Sequence, residues 1–321
     1  MKVTFHYPRV LPALKYGGTE RILVWTMREL VRQGHEVTFI GPAGSDLSRD
    51  GVRFVKDATG EWWTRLPKGV DVVHLTYPPP RDLGVPTLAT IHGNGRTGEV
   101  FPPNVVFLSR KHAENHGAEC FVYNGVDFSE YPFHPRPGTG WERFLFLAKA
   151  SWKVKNLRDC VRAARASRKR LDIAGGRAWI WSRYVKSHGQ VDQVGKNRLL
   201  QNAHALLNPV RWHEPFGISM VEAFATGLPV IGSRYGSLPE LVDDENGILC
   251  DRFADFSRAL LEPPKAFDPE CIRARAEARF SSAVMVESYL KLYAKVIAGE
   301  PLNSRAPSWR LNQPAEQLLD F

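Results

Sequence analysis

Strand and helix signals alternate along nearly the whole chain, and one proline- and glycine-rich segment interrupts them. Val3–Tyr7 is a β-type run, and Gly17-Gly18 breaks the loop after it. Thr19 can then cap a helix whose apolar positions Ile22, Leu23, Met27, Leu30 and Val31 recur at helical spacing. Gly34 stops that helix and Glu36–Ile40 reads as the next strand. Val70–Leu75, Thr87–Ile91, Val105–Leu108 and Cys120–Tyr123 are further buried-strand candidates, each bounded by Pro, Gly or Asn. Strands that are apolar on both faces and alternate with helices demand a parallel sheet covered on both sides.

The interruption is Tyr131–Trp141, which holds three prolines and two glycines and suits an interdomain linker. Beyond it the alternation restarts. Strands are expected at Phe144–Ala148, Leu171–Ala174, Ala205–Asn208 and Pro229–Gly232, and helices at Leu157–Ser167, Trp179–Lys186, Lys196–Asn202 and Ile218–Thr226. Two long helical stretches, Pro269–Arg279 and Ser282–Ile297, follow. The organisation expected is a Rossmann-like domain over 1–130, the linker 131–141 and a second such domain over 142–280. A helix over 281–298 crosses back to the first domain, and a weakly patterned tail over 299–321 reads as an arm or a partly disordered segment. Two doubly wound α/β domains joined by a short linker face a cleft, and ligands of such sheets bind outside the carboxyl ends of the strands.

Composition excludes several classes. The 321 residues are 43% hydrophobic and 24% charged, values of a globular chain. No apolar run approaches the roughly 20 residues of a membrane span, and Met1–Tyr7 lacks the apolar region of a signal peptide. The four cysteines, Cys120, Cys160, Cys250 and Cys271, form no Cys-x-x-Cys, so a reduced cytoplasmic protein is expected. The net charge of +9 is localised: residues 141–200 hold 15 Lys+Arg against four acids, while 201–321 are net acidic. That concentration in one segment speaks for an anionic small molecule and against a diffuse nucleic-acid surface.

The most informative stretch is Arg211–Ile231, R-W-H-E-P-F-G-I-S-M-V-E-A-F-A-T-G-L-P-V-I. Pro215 and Gly217 put Glu214 in a turn just before a helix, and Glu222 lies about one turn inside it. Backbone N–H groups around Gly217–Met220 then form a helix N-terminus fit for a diphosphate, with Glu222 set to accept from a pair of ribose-like hydroxyls. The plainer alternative is a first-turn carboxylate and a solvated helix residue. Glu222 nevertheless stands between Val221 and Ala223-Phe224, on a helix apolar on most sides.

This segment resembles the signature of the retaining glycosyltransferases of family 4, Glu-x7-Glu within E-x-F-G-x-x-x-x-E-A-x-A-x-G-x-P-V. The resemblance extends through G-G-T-E-R (Gly17–Arg21), R-Q-G-H-E-V-T (Arg32–Thr38), D-V-V-H (Asp71–His74), T-I-H-G (Thr90–Gly93) and Y-N-G-V-D (Tyr123–Asp127). It continues in L-D-I-A-G-G (Leu171–Gly176), G-S-L-P-E-L-V (Gly236–Val242) and Phe280–Tyr293. It implies a GT-B architecture and a compact bacterial type of enzyme using a nucleoside diphosphate sugar, of uridine rather than guanosine type. By the same resemblance Glu214 lies beside the donor sugar and Glu222 holds the ribose. Phe216, Gly217, Ile218 and Ser219 offer the donor backbone groups, Gly17, Gly18 and Gly175 admit it closely, and His92 lines the cleft near the reacting sugar.

One departure stands out. The family carries an Arg and, five or six residues on, a Lys after the first strand of the second domain. This chain reads L-A-K-A-S-W-K-V-K-N-L, with Lys149 in place of the Arg and Lys155 six residues later. Two cations remain, but lysine lacks the bidentate fork of arginine. The implied reaction is front-face transfer with retention, Lys149 and Lys155 stabilising the departing diphosphate. With no Asp-x-Asp in the chain, neither metal nor cofactor is expected. The acceptor and the oligomeric state have no decipherable signal. Alternatives are a nucleotide-sugar-binding protein without turnover, and a sugar-nucleotide epimerase or a phosphorylase on the same fold.

Other features read more plainly. His112 and His116 are four apart, but no His-Glu-x-x-His order exists, so a solvated helix face is expected. Arg162, Arg165, Arg168, Lys169 and Arg170 read as a solvated basic helix end, with contact to an anionic membrane surface as the alternative. Trp62-Trp63, Trp179 and Trp181 read as core or loop packing aromatics, with stacking on sugars or acceptor rings as the alternative.

Overall fold

The structure, a computed structural model, describes residues 1–13, 17–57, 60–134, 140–178, 180–263, 265–315 and 317–321. It divides into two compact units: Met1–Val126 with Ser282–Ala315, and Asp127–Ser281 with Glu316–Phe321.

The first unit is built on β1 (Lys2–His6), α1 (Gly18–Arg32), β2 (Glu36–Gly41), β3 (Arg53–Lys56), β4 (Val72–Leu75), β5 (Thr87–Thr90), β6 (Val105–Val106) and α2 (Arg110–Glu114). Its sheet is wholly parallel, in the order β3-β2-β1-β4-β5-β6. β4 is buried along its full length, as a strand covered on both faces must be. α1 starts at Gly18 with Gly17 as its cap and no side-chain cap bond, so Thr19 does not play that part. Gly34, at φ +82°, turns the chain out of α1, a left-handed conformation that glycine adopts without a steric penalty. The Cys120–Tyr123 strand expected from sequence survives only as a bridge between Phe107 and Phe121.

The second unit runs β7 (Arg143–Leu147), α3 (Leu157–Ser167), β8 (Arg170–Ala174), β9 (Val185–Ser187), α4 (Gln193–Asn202), β10 (Ala205–Asn208), α5 (Ile218–Ala225), β11 (Val230–Ser233), α6 (Leu238–Leu241), β12 (Gly247–Cys250), α7 (Phe253–Ala259) and α8 (Pro269–Phe280). The sheet is again parallel, β12-β11-β10-β7-β8-β9. Both sheets therefore share the doubly wound order, with a switch point between β1 and β4 and another between β7 and β10. The helix expected over Trp179–Lys186 is absent among its described residues. Val185–Ser187 instead pairs with β8 as an edge strand, and Trp179 lies outside the described residues.

The boundary between units falls at Val126/Asp127, ahead of the expected 131–141 linker, of which residues 135–139 lie outside the described residues. Tyr131 is fully buried within the second unit, and that aromatic anchor moves the boundary forward. The final helix, α9 (Ser282–Ile297), belongs to the first unit and packs on α1, β4 and β5.

The segment after α9 is packed. Asn303 is buried, and its Oδ1 accepts from the backbone N–H groups of Glu119 and Cys120 at 2.9 and 3.0 Å. Its Nδ2 donates to the carbonyls of Pro103 and Val105, at 2.8 Å each. One amide thus satisfies backbone groups flanking the short β6, a specific bond set that composition does not announce. Among the described residues no helix is long and apolar enough to cross a membrane, and all four cysteines are free.

Candidate active site

In the second unit the turns leaving β7 and β10 emerge at the carboxyl edge of the sheet, on either side of the switch point. Two bonds fasten them together. The Arg211 N–H donates to the Val154 carbonyl at 2.7 Å, and Asn156 Nδ2 donates to the Pro209 carbonyl at 3.0 Å. Asn156 is buried and left-handed (φ +58°), a conformation that Asn tolerates better than most residues. The fastening brings Lys155 Nζ to 2.5 Å from Glu214 Oε2, with both side chains largely buried. Trp212 Nε1 donates to the same oxygen at 2.7 Å, and Lys155 Nζ lies 5.0 Å from the Trp212 ring centroid.

The backbone of Glu214 is held as closely as its side chain. Its carbonyl accepts from the Ser237 N–H at 2.9 Å, and Ser237 Oγ donates to the Phe216 carbonyl at 2.8 Å. A Cβ on Gly236 would lie 2.3 Å from both the N and the O of Glu214, so only glycine permits this approach. Phe216 is buried, while Gly217, left-handed at φ +82°, caps α5 so that Ile218 and Ser219 open the helix half-exposed. Asn208, at the end of β10, is 5% exposed and its Nδ2 has no hydrogen-bond partner among the described residues. That nitrogen lies 3.7 Å from where a Cβ on Gly217 would sit. A buried amide in this state costs roughly 1–3 kcal/mol until something bonds to it.

Lys149 and Gly175 border the same edge. Lys149 is exposed, with Nζ 5.0 Å from the Trp152 ring centroid. A Cβ on Gly175 would stand 2.0 Å from the Ala148 carbonyl oxygen, and the Gly175 carbonyl accepts from the Ala150 N–H at 3.0 Å. Lys153 is solvated.

Glu222 lies one turn inside α5 and is not on a solvated face. Lys196 Nζ meets its Oε1 at 2.5 Å, and Tyr131 OH donates to the same oxygen at 2.7 Å, all three residues being buried. No motif in the sequence marks Lys196, Tyr131, Asn156 or Asn208 as a site residue. For Lys196 a signal existed: it stands four residues before Leu200, on the face of α4 that is buried.

In the first unit, Gly17 packs against Glu20, whose carboxylate accepts from Tyr7 OH at 3.2 Å; burial and that carboxylate push the Tyr7 phenol up to about 12. Gly18 opens α1. His92 follows β5, half-buried, and desolvation lowers its imidazole to about 4. His112 and His116 are buried at 1% and 0%, which corrects the solvated face expected for them. No group of three or more His, Cys, Asp or Glu among the described residues is arranged to hold a metal ion.

The basic cluster of α3 is largely engaged within its unit. Arg162 pairs with Asp159 at 2.7 Å and stacks 3.9 Å from Phe253, Arg165 donates to the Trp181 carbonyl, and Lys169 pairs with Glu142.

Residues 142–262 match the family model described as glycosyl transferases group 1. A glycogen synthase of Mycobacterium tuberculosis is 27% identical over 213 residues, 59% of this chain and 50% of that protein, so the chain spans about half the length of that relative. Among solved structures, a glycosyltransferase involved in avilamycin A biosynthesis superposes with a TM-score of 0.75 at 25% identity, over 93% of this chain and 98% of the other. An Anabaena protein, HepE, solved in complex with UDP-glucose, superposes at 0.66 with 16% identity, over 92% of this chain and 100% of that one. The fold is thus that of GT-B glycosyltransferases, and through the match of its second unit the chain is related to the glycosyl transferases of group 1.

Proposed function

We propose that the protein is a retaining glycosyltransferase of family 4 type that takes a sugar from a uridine diphosphate sugar and passes it to an acceptor. One observation carries this reading: the Lys155–Glu214 pair stands at the N-terminus of α5, at the switch point where a doubly wound sheet binds its ligand. The unpartnered amide of Asn208 beside that helix end supports a polar ligand there. The relationship to group 1 transferases and the UDP-glucose bound by the Anabaena protein support the donor class.

In this reading the helix amides at Ile218 and Ser219, together with Lys149 and Lys155, receive the diphosphate. Glu214 accepts from the sugar hydroxyls, and Glu222 reaches the ribose from its buried seat. Gly17, Gly18 and Gly175 let backbone come close to the donor, and His92 stands beside the reacting sugar. The bond between the anomeric carbon and the diphosphate oxygen breaks while the acceptor oxygen bonds to that carbon on the same face. The acceptor's proton passes to the departing phosphate oxygen. Cations and helix amides stabilise the developing negative charge, and the reaction is proposed to need no metal.

A thermal-shift panel of nucleoside diphosphates and their sugars, followed by donor hydrolysis, tests it. Stabilisation by UDP and slow release of UDP from UDP-glucose, unchanged by chelator, are expected. Binding without hydrolysis or transfer across the panel would make the protein a nucleotide-sugar sensor. Activity lost to chelator and restored by magnesium or manganese would refute the metal-free step.

A further inference from the structure

We propose that His112 and His116 are positioning residues, a pair of imidazoles in opposite tautomers that fixes the 92–95 loop and with it the ring of His92. The inference rests on the reading of His92 as a group beside the reacting sugar.

Every ring nitrogen of the pair is engaged with backbone. Leu108 N–H donates to His112 Nδ1 at 3.2 Å, so that nitrogen carries no proton, and Nε2–H donates to the Gly93 carbonyl at 3.1 Å. His116 is the reverse. Its Nδ1–H donates to the His112 carbonyl at 2.7 Å, and its Nε2 accepts from the Gly95 N–H at 2.8 Å. The two rings meet edge to face at 4.9 Å; Phe107 stacks on His116 at 4.5 Å and Trp309 meets its edge at 5.2 Å. Each imidazole is therefore neutral, with its tautomer set by backbone groups that cannot exchange roles.

The consequence falls on the loop. One histidine donates a hydrogen bond to the Gly93 carbonyl and the other accepts one from the Gly95 N–H, so both ends of a three-residue span are held. On the other side of His92, the Ile91 N–H donates to the Val106 carbonyl at 2.9 Å, continuing the ladder of β5. His92 is thus fixed between two anchored backbone groups. Gly95 has to be glycine, since a Cβ there would stand 2.8 Å from the Phe101 ring and 3.2 Å from His116 Nε2. Burial alone requires partners for these nitrogens; the choice of Gly93 and Gly95 as two of them ties the pair to the loop that follows His92.

Four variants and two readouts test the proposal. His112→Phe and His116→Phe keep ring volume but lose the polar contacts; His112→Gln and His116→Gln can restore a donor to Gly93 or an acceptor for Gly95. In UDP-glucose hydrolysis the Phe variants should lose about tenfold or more in kcat while KM changes less than about twofold, and the Gln variants should recover most of the loss. Amide hydrogen exchange over residues 92–96 should rise about tenfold in the Phe variants and stay low in β1 and β2. Phe variants with wild-type kcat, or Phe and Gln variants falling together with a loss of global protection, would overturn the positioning role. His92→Ala separates the two layers: wild-type turnover there removes His92 from the mechanism, while exchange over 92–96 still decides whether the pair holds the loop.

Discussion

Glu214 occupies a position where charge, aromatic cover and backbone confinement converge. Lys155 and Trp212 share its Oε2, and Gly236 and Ser237 hold its main chain. Glu214→Gln keeps an acceptor for Lys155 and Trp212 while removing the charge, so donor hydrolysis should fall about 100-fold or more, and the melting temperature should also drop because Lys155 is left largely buried without its counter-charge. Lys155→Ala should lower turnover comparably, and near wild-type rates in either variant would remove that residue from the chemistry. Gly236→Ala acts differently: its methyl meets backbone at 2.3 Å and the residue sits at φ +63°, so both stability and turnover should drop, read by thermal melting beside the rate. The signature residues were legible in sequence because Glu-x7-Glu, Pro215 and Gly217 form a local pattern that encodes a turn and a helix start. Asn156 was not, since its amide meets the Pro209 carbonyl 53 residues along the chain, and neither was Asn208, since a buried amide nitrogen left without a partner is a product of tertiary packing.

At the scale of elements, α4 and α5 are joined through Lys196 and Glu222, a charged pair with both partners buried. Breaking one side of such a pair leaves an uncompensated charge in a low-dielectric interior. Lys196→Met should therefore destabilise the protein by about 3–5 kcal/mol in urea unfolding, and adding Glu222→Gln should recover a good part of it. A double variant no more stable than Lys196→Met would show that the pair is not coupled. The alternation of strands and helices was legible because parallel strands covered on both faces must be apolar throughout. β9 is hidden in the sequence for the opposite reason: an edge strand of three half-buried or exposed residues carries no such run. The burial of His112 and His116 is not legible in sequence, because an i, i+4 pair looks the same on a wet face and a dry one, and only packing on Phe107 and Trp309 separates the two.

For the whole molecule, acid should act first on the unit that holds the depressed histidines. Burial lowers His6, His74, His92, His112 and His116, all in the first unit; His74, between Tyr293 and Thr90, falls to about 3. Below about pH 6.5 the unfolded chain binds protons that the folded unit refuses, so stability declines as pH falls towards these native values. At pH 5 His74 alone accounts for a loss on the order of 2 kcal/mol. Amide exchange should accelerate in β4 and β5 before β10 and β11 between pH 6.5 and 4, and equal acceleration in both sheets would contradict this.

The first unit is assembled from Met1–Val126 and Ser282–Ala315, with the whole of residues 127–281 between them. Its α9 supplies Tyr289 and Tyr293, whose hydroxyls meet Thr90 and His74 on β5 and β4. During synthesis the apolar face of that sheet therefore leaves the ribosome without its cover. At typical elongation rates the cover follows on the order of 10–30 s later. The second unit, apart from its last residues continuous in sequence, can finish folding in that interval. The sheet made first is thus covered last, and until α9 arrives β4 and β5 keep apolar surface open to solvent.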